Sequence, residues 1–171
     1  MKVSIITATY NSATHMAGCL ASINKQTHKN IEHIIIDGAS TDNTLEIIKA
    51  TPNRVVKIIS EPDKGIYDAM NKGIKLATGD IIGILNSDDF YTTSDIIEKI
   101  ATVFKLKNID SVYGNLDFVN PENTRKVIRH WRSSSFKHNT FKKGWHPPHP
   151  TFFVRREVYE KYGLFDTSLH V

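Results

Sequence analysis

Four short, near-continuous apolar runs, at 3–8, 31–36, 55–59 and 81–85, are each followed by a stretch whose apolar residues recur every three or four positions. This alternation constrains the fold more than any other feature. A strand apolar on both faces must be covered on both sides, and parallel strands between two helical layers are the usual solution. The helical stretches carry Met16, Leu20 and Ile23, then Leu45 and Ile48, then Ile66, Ala69, Met70, Gly73, Ile74 and Ala77, then Ile96, Ile100, Val103 and Phe104. Ser12 starts the first helix, Asp37-Gly38-Ala39-Ser40-Thr41-Asp42 supplies turn and cap chemistry, Gly79 ends the third helix and Thr93 caps the fourth. The class is α/β: a Rossmann-like, doubly wound, mostly parallel sheet with helices on both faces and right-handed crossovers.

After Ile109 the rhythm changes. Residues 111–119 and 125–131 read as strands around the turn Asn120-Pro121-Glu122-Asn123. A His- and Pro-rich loop follows, then a strand at 151–154 and a short helix at 155–162 ended by Gly163. With no repeat and no linker, residues 1–171 are one domain, divided into 1–110 and a smaller mixed part, 111–171.

Composition narrows the classes. The chain of 171 residues is 40% apolar and 23% charged, ordinary values for a globular protein. No apolar stretch approaches the ~18 residues that suggest a membrane helix. The apolar stretch at the amino terminus is too short for a secretory signal, and a cytoplasmic location is expected. One cysteine, Cys19, agrees with a reducing compartment and reads as a small core residue of the first helix. The net charge of +4 is mild, but Arg125, Lys126, Arg129, Arg132, Lys137, Lys142 and Lys143 fall in a run without Asp or Glu. Such a run is either a solvated face or a patch for phosphates or an anionic membrane surface. No nucleic-acid-binding signature accompanies it.

In an open parallel sheet, ligands bind beyond the carboxyl ends of the strands. There stand Thr7-Ala8-Thr9-Tyr10-Asn11, Asp37, Glu61 with Asp63, and Asn86-Ser87-Asp88-Asp89. Carboxylates distant in sequence thus gather at one edge, and a divalent cation would relieve their repulsion. Mg²⁺ and Mn²⁺ typically take one or two carboxylates plus substrate phosphates. Neither a dinucleotide fingerprint nor a P-loop is present.

The blocks Val3-Ser4-Ile5-Ile6-Thr7-Ala8-Thr9-Tyr10-Asn11, Ile36-Asp37-Gly38-Ala39-Ser40-Thr41-Asp42, Glu61-Pro62-Asp63-Lys64-Gly65-Ile66-Tyr67-Asp68 and Asn86-Ser87-Asp88-Asp89 resemble, in order, those of family 2 glycosyltransferases of the GT-A fold. Bacterial enzymes of surface polysaccharide synthesis are most similar, and the last block resembles the family's DxD motif. The resemblance implies a nucleotide-diphospho-sugar donor, with a UDP-sugar favoured, a divalent cation (Mn²⁺ or Mg²⁺), inversion, and a glycan or polyprenyl-linked acceptor. It makes residues 1–110 the nucleotide-sugar-binding half and 111–171 the incomplete start of the acceptor-side half. By position Thr7, Ala8, Thr9, Tyr10 and Asn11 line base and ribose, and Asp37 accepts a hydrogen bond from the base. Lys64 and Gly65 approach the diphosphate, Asn71 shapes the sugar site, Asp88 sits near ribose, sugar or metal, and Asp89 binds the metal.

The resemblance places the catalytic base just after Gly163-Leu164-Phe165-Asp166, beyond Val171, so a chain ending there is expected to bind donor and transfer sugar poorly. Asp166 is a substitute base or, preferentially, a turn residue. His146 and His149 stand as contacts for phosphate, acceptor or metal, or as plain loop histidines, and Trp145 either stacks on a sugar or packs. A sugar nucleotidyltransferase, a catalytically silent nucleotide-binding module and a structural or interaction protein using the basic segment are the rival readings. The basic segment 125–143 would serve peripheral contact with a membrane.

Overall fold

The computed structural model describes residues 1–169. Strands β1 (Val3–Thr9), β2 (Ile31–Asp37), β3 (Val55–Ser60) and β4 (Ile81–Ile84) pair in parallel, and helices α1 (Ala13–Asn24), α2 (Thr44–Ala50) and α3 (Ile66–Leu76) connect them. Helix α4 (Ile96–Leu106) leads to β5 (Ser111–Val112). A separate hairpin follows, β6 (Leu116–Asn120) with β7 (Asn123–Trp131), and the chain returns through β8 (Phe153–Arg155) to α5 (Arg156–Tyr162). The six-stranded sheet runs β3-β2-β1-β4-β8-β5, with β8 antiparallel to both neighbours.

Alternation along β1 distributes the core. Ile5 joins Cys19, Ile23, Leu85, Ile97 and Phe104 on one face, while Ile6 joins Met70 and Ile74 of α3 on the other. Met16, Leu20, Ile35 and Ile48 close the α1–α2 side. Helix α3 lies close on β1 because Gly73 has no side chain: a Cβ there would meet Ile6 Cγ2 at 2.3 Å. Gly83 makes the same allowance for Phe153 of β8, at 2.2 Å from its ring.

At the amino ends of the strands, Glu32 locks β1, β2 and the approach to β4. Its carboxylate accepts hydrogen bonds from Lys2 Nζ, Ser4 Oγ, Thr78 N and Thr78 Oγ1. Burial pushes its pKa up, but these donors together outweigh burial and hold it at about 2.

Several boundaries differ from the sequence expectation. Strand β3 is an edge strand, and Val56, Lys57 and Ile58 are exposed rather than covered on both faces. Asp95, not Thr93, stands at the start of helix α4, without a side-chain cap, and Thr93 Oγ1 donates to the Asp95 carboxylate. Helix α3 ends at Ala77, before Gly79. Gly79 is required for a different reason: a Cβ there would meet the Ser4 backbone N at 2.7 Å. The run 111–119 divides at Tyr113-Gly114-Asn115, so that β5 joins the main sheet and β6 the hairpin. Among the described residues no helix is long and apolar enough to cross a membrane.

Candidate active site

The parallel register sets Thr9 of β1 opposite Asp37 of β2, so the turns after both strands open at the same edge. Three contacts bind these turns together. Ser40 Oγ accepts from Asn11 N, Asn11 Oδ1 accepts from Thr41 N, and Asp42 Oδ2 accepts from Ala13 N. Asn11 adopts φ 47°, in the left-handed region that Asn tolerates better than most residues. Ser87 Oγ donates to Ser12 Oγ at 2.8 Å, which ties the turn after β4 to the same assembly.

The carboxylates expected to crowd this edge do gather there, but most are engaged by local donors. Asp37 is fully buried and accepts hydrogen bonds from Ser40 N, Ser40 Oγ and Ser60 Oγ. Its side chain therefore holds the turn rather than offering an open acceptor to a base. Glu61 pairs with Lys72 at 2.9 Å, and Asp63 accepts from Gly65 N. Asp63 also lies over Gly38, where an added Cβ would stand 2.7 Å from Asp63 Oδ2 and 3.4 Å from the Tyr10 ring. Gly38 thus keeps space where Tyr10 and Asp63 converge.

The Asp88–Asp89 pair has no such local relief. Burial and the neighbouring Asp88 charge raise the Asp89 pKa to about 6, and no hydrogen bond offsets them. Asn86 Oδ1 and Thr9 Oγ1, at the adjoining ends of β4 and β1, are buried without a protein partner. Among the described residues no group of three or more His, Cys, Asp or Glu could hold a metal by itself. Two carboxylates beside unsatisfied oxygens instead fit a cation that draws its remaining ligands from phosphate and water.

The other expected contacts divide by burial. Tyr10 and Asn11 are exposed at the edge, and Lys64 projects beside Gly65. Gly65, at φ 107°, turns the chain into α3, and Lys64 N donates to Asp68. Thr7 and Ala8 are buried in the sheet: the Thr7 hydroxyl bonds His33 Nε2 at 2.9 Å, and the Ala8 methyl packs under α3. Thr9 is buried except for a narrow exposure. Beneath the pair, Cys19 approaches Thr7 Oγ1 and Asn86 O, and burial pushes its thiol up to about 12. It is a core residue.

Asn71 is not a free sugar contact. Its amide donates to Phe165 O at 2.9 Å and accepts from Phe165 N at 3.0 Å, so it clamps the segment after Gly163. Phe165 stacks on Tyr67 at 5.5 Å and meets His149 and Tyr159 edge-on or tilted. His149 is half-buried and burial lowers its pKa. Asp166 accepts from Ser168 N and Oγ, the turn arrangement expected of it. His146 stays exposed against Trp131, and Trp145 packs against Tyr113, Phe136 and Phe141. Sequence reasoning missed Lys72, Glu32 and the Asn71 clamp. A charged residue inside an apolar strand, as at Glu32, was the available signal, because buried charge must be paired.

Comparison with known proteins identifies the family. Residues 4–163 match the family described as Glycosyl transferase family 2. The chain is 33% identical over 119 residues to UDP-Glc:alpha-D-GlcNAc-diphosphoundecaprenol beta-1,3-glucosyltransferase WfgD of Escherichia coli, covering 69% of this chain and 47% of that one. The fold is similar to S. aureus TarS 1–349 in complex with UDP-GlcNAc, with TM-score 0.77, 23% identity, and 95% and 47% of the two chains covered. It is also similar to the mannosyltransferase PcManGT of Pyrobaculum calidifontis in complex with GDP-Man and Mn²⁺, with TM-score 0.74, 22% identity and 98% and 48% covered. The chain spans less than half the length of the curated relatives it matches.

Proposed function

Because the chain belongs to glycosyltransferase family 2 and carries its GT-A fold, we propose that it forms the donor-binding part of an enzyme that transfers sugar, with inversion, from a UDP-sugar to a glycan or polyprenyl-linked acceptor in surface polysaccharide synthesis. The observation that carries the reading is the unrelieved Asp88–Asp89 pair at the carboxyl end of β4, beside turns already fixed by hydrogen bonds. The relatives' UDP-sugar and lipid-linked substrates support it.

Tyr10 presents its ring to the nucleoside side of the crevice over Gly38, and Asn11 and Ser40 fix the turn that borders it. Asp37 acts through Ser40 and Ser60 as a positioning residue. Lys64 carries a cation toward the diphosphate, and Gly65 lets the chain turn tightly beneath it. Asp88 and Asp89 hold Mn²⁺ or Mg²⁺, which when bound stabilises the negative charge of the departing nucleoside diphosphate. The acceptor proton requires a carboxylate base; Ser168 N donates to Asp166, which serves as a turn residue, and the base is assigned to a residue following the Gly163–Asp166 segment.

Thermal denaturation with UDP tests this reading, because a ligand bound only to the folded state raises its stability. UDP with Mn²⁺ is expected to raise the midpoint more than UDP with EDTA, and Asp89→Ala to erase the difference while the fold persists. Equal midpoints with Mn²⁺ and EDTA in the unaltered protein would overturn the metal site.

A further inference from the structure

The carboxyl edge of the sheet carries a second feature, unlike the first. Strand β8 is antiparallel to β4 and β5 is antiparallel to β8, so β5 runs parallel to β4. The chain therefore leaves the sheet after Val112 and returns at Phe153 on the same edge as Asp88 and Asp89. The excursion between them, the β6–β7 hairpin and the loop to His149, therefore begins and ends at the donor edge.

This excursion is basic and apolar at its surface. From 116 to 143 it carries seven Lys/Arg against Asp117 and Glu122, and Asp117 is paired with His130 at 2.7 Å. Ile128 is 63% exposed, Phe136 52% and Phe141 60%. The two phenylalanines belong to a small cluster with Trp145, at ring separations of 5.4 to 5.8 Å, outside the main core. Arg129 lies 3.9 Å from the centre of the Phe118 ring, its charge held over an exposed aromatic face.

We propose that this excursion docks on an anionic membrane surface, with its cations among lipid phosphates and Ile128, Phe136 and Phe141 at the headgroup boundary. The inference rests on the proposed transferase reading only in its consequence: docking would turn the donor edge toward a lipid-linked acceptor. Charge decides among occupants. A second copy would bring like charges together, and the cations are spread over an exposed hairpin and loop rather than converging on one buried phosphate site. A bilayer satisfies both components at once, since polybasic segments and interfacial aromatic side chains each favour it.

Trp131 and Trp145 are the only two tryptophans, and both lie in the excursion, so intrinsic fluorescence reports on it directly. The test is titration with phosphatidylcholine vesicles and with vesicles that also carry phosphatidylglycerol, at low and high salt, read by fluorescence and co-sedimentation. Anionic vesicles are expected to bind the protein and shift emission to the blue, and salt to release it. Each neutralised cation is expected to weaken binding about fivefold, the equivalent of ~1 kcal/mol. Arg125→Gln with Lys126→Gln should therefore cost roughly 25-fold. The control pair Lys105→Gln with Lys107→Gln, at the carboxyl end of α4, should cost less than about twofold because those residues precede β5 and lie outside the excursion. Phe136→Ser with Phe141→Ser should reduce the fluorescence shift. Equal binding to neutral and anionic vesicles, or equal losses in the two Gln pairs, would each overturn the proposal. UDP affinity, measured on the same variants, is expected to stay unchanged, which separates failure of docking from failure of the donor site.

Discussion

The turns around Asp37 and the excursion from 113 to 152 stand on the same edge of one sheet, yet they are held by opposite means. The turns extend from buried parallel strands and are fastened to one another by hydrogen bonds donated by the backbone N–H groups of Asn11, Ser12, Ala13 and Thr41. The excursion has its own hairpin ladder, a small aromatic cluster and many exposed side chains. A donor pocket gains from geometry fixed before the ligand arrives. A surface that meets lipids gains more from charge and exposed rings than from a fixed shape. The contrast makes stability a property of the sheet body, with the excursion nearly independent of it.

Glu32→Ala is the strongest challenge to that division. It leaves the Lys2, Ser4 and Thr78 donors without their shared carboxylate, and breaking a buried, charged network of this kind costs about 3 kcal/mol or more. Denaturant titration should show it. The same group gives a pH signature. Its folded pKa of about 2 lies below its ordinary 4.5, so its contribution is complete above 4.5 and is lost as pH falls through 2. Glu32→Gln should flatten the stability profile in that window; an unchanged profile would mean that the lock does not operate.

Gly83→Ala tests the seam between body and excursion. The added methyl meets Phe153, and overpacking of this kind costs about 1–3 kcal/mol. The loss should appear in the global unfolding midpoint, because β8 is part of the main sheet. A normal midpoint would show that β8 yields without involving the body.

Asp89→Asn should have a smaller effect of opposite sign. A folded pKa raised to about 6 means that ionisation is disfavoured in the folded state, so the penalty is absent below 3.8 and complete as pH rises past 6. Removing the charge should stabilise the metal-free protein by ~1–2 kcal/mol at pH 7 and by little at pH 3.5. Stabilisation equal at both pH values would dissociate it from the carboxyl group. Ile128→Ser, in the exposed hairpin, should change stability by no more than about 0.5 kcal/mol. A larger loss there would show that the excursion supports the sheet after all.

The sequence showed the parallel body clearly, because each strand and each helix face carries its own period. Ile5 and Ile6 of β1, and Met70 and Ile74 of α3, fell where that pattern put them. The boundary at Tyr113 was hidden, since a two-residue strand such as β5 has no period to detect. So was the insertion of β8 between β4 and β5, which joins segments about 70 residues apart in the chain. At the site, the residue types and their edge were legible, but their tasks were not. Asp37, Thr7 and Asn71 are bonded to Ser60, His33 and Phe165, neighbours that arrive from other elements, whereas no donor offsets the burial of the Asp89 carboxyl. The burial of Thr7 was readable in principle, as the strand places it between Ile6 and Ala8 well inside β1.

The pairing of β5 with β8, Ser111 opposite Val154 and Val112 opposite Phe153, sets the two ends of the excursion side by side. Once those ends are joined, the length of chain between them matters little, because each doubling of a flexible loop adds only about 0.6 kcal/mol of closure entropy. The segment is in effect a cassette. Its hairpin could be shortened, lengthened or exchanged for another without disturbing the turns after β1, β2 and β4, so that one sheet could carry different surfaces beside an unchanged edge.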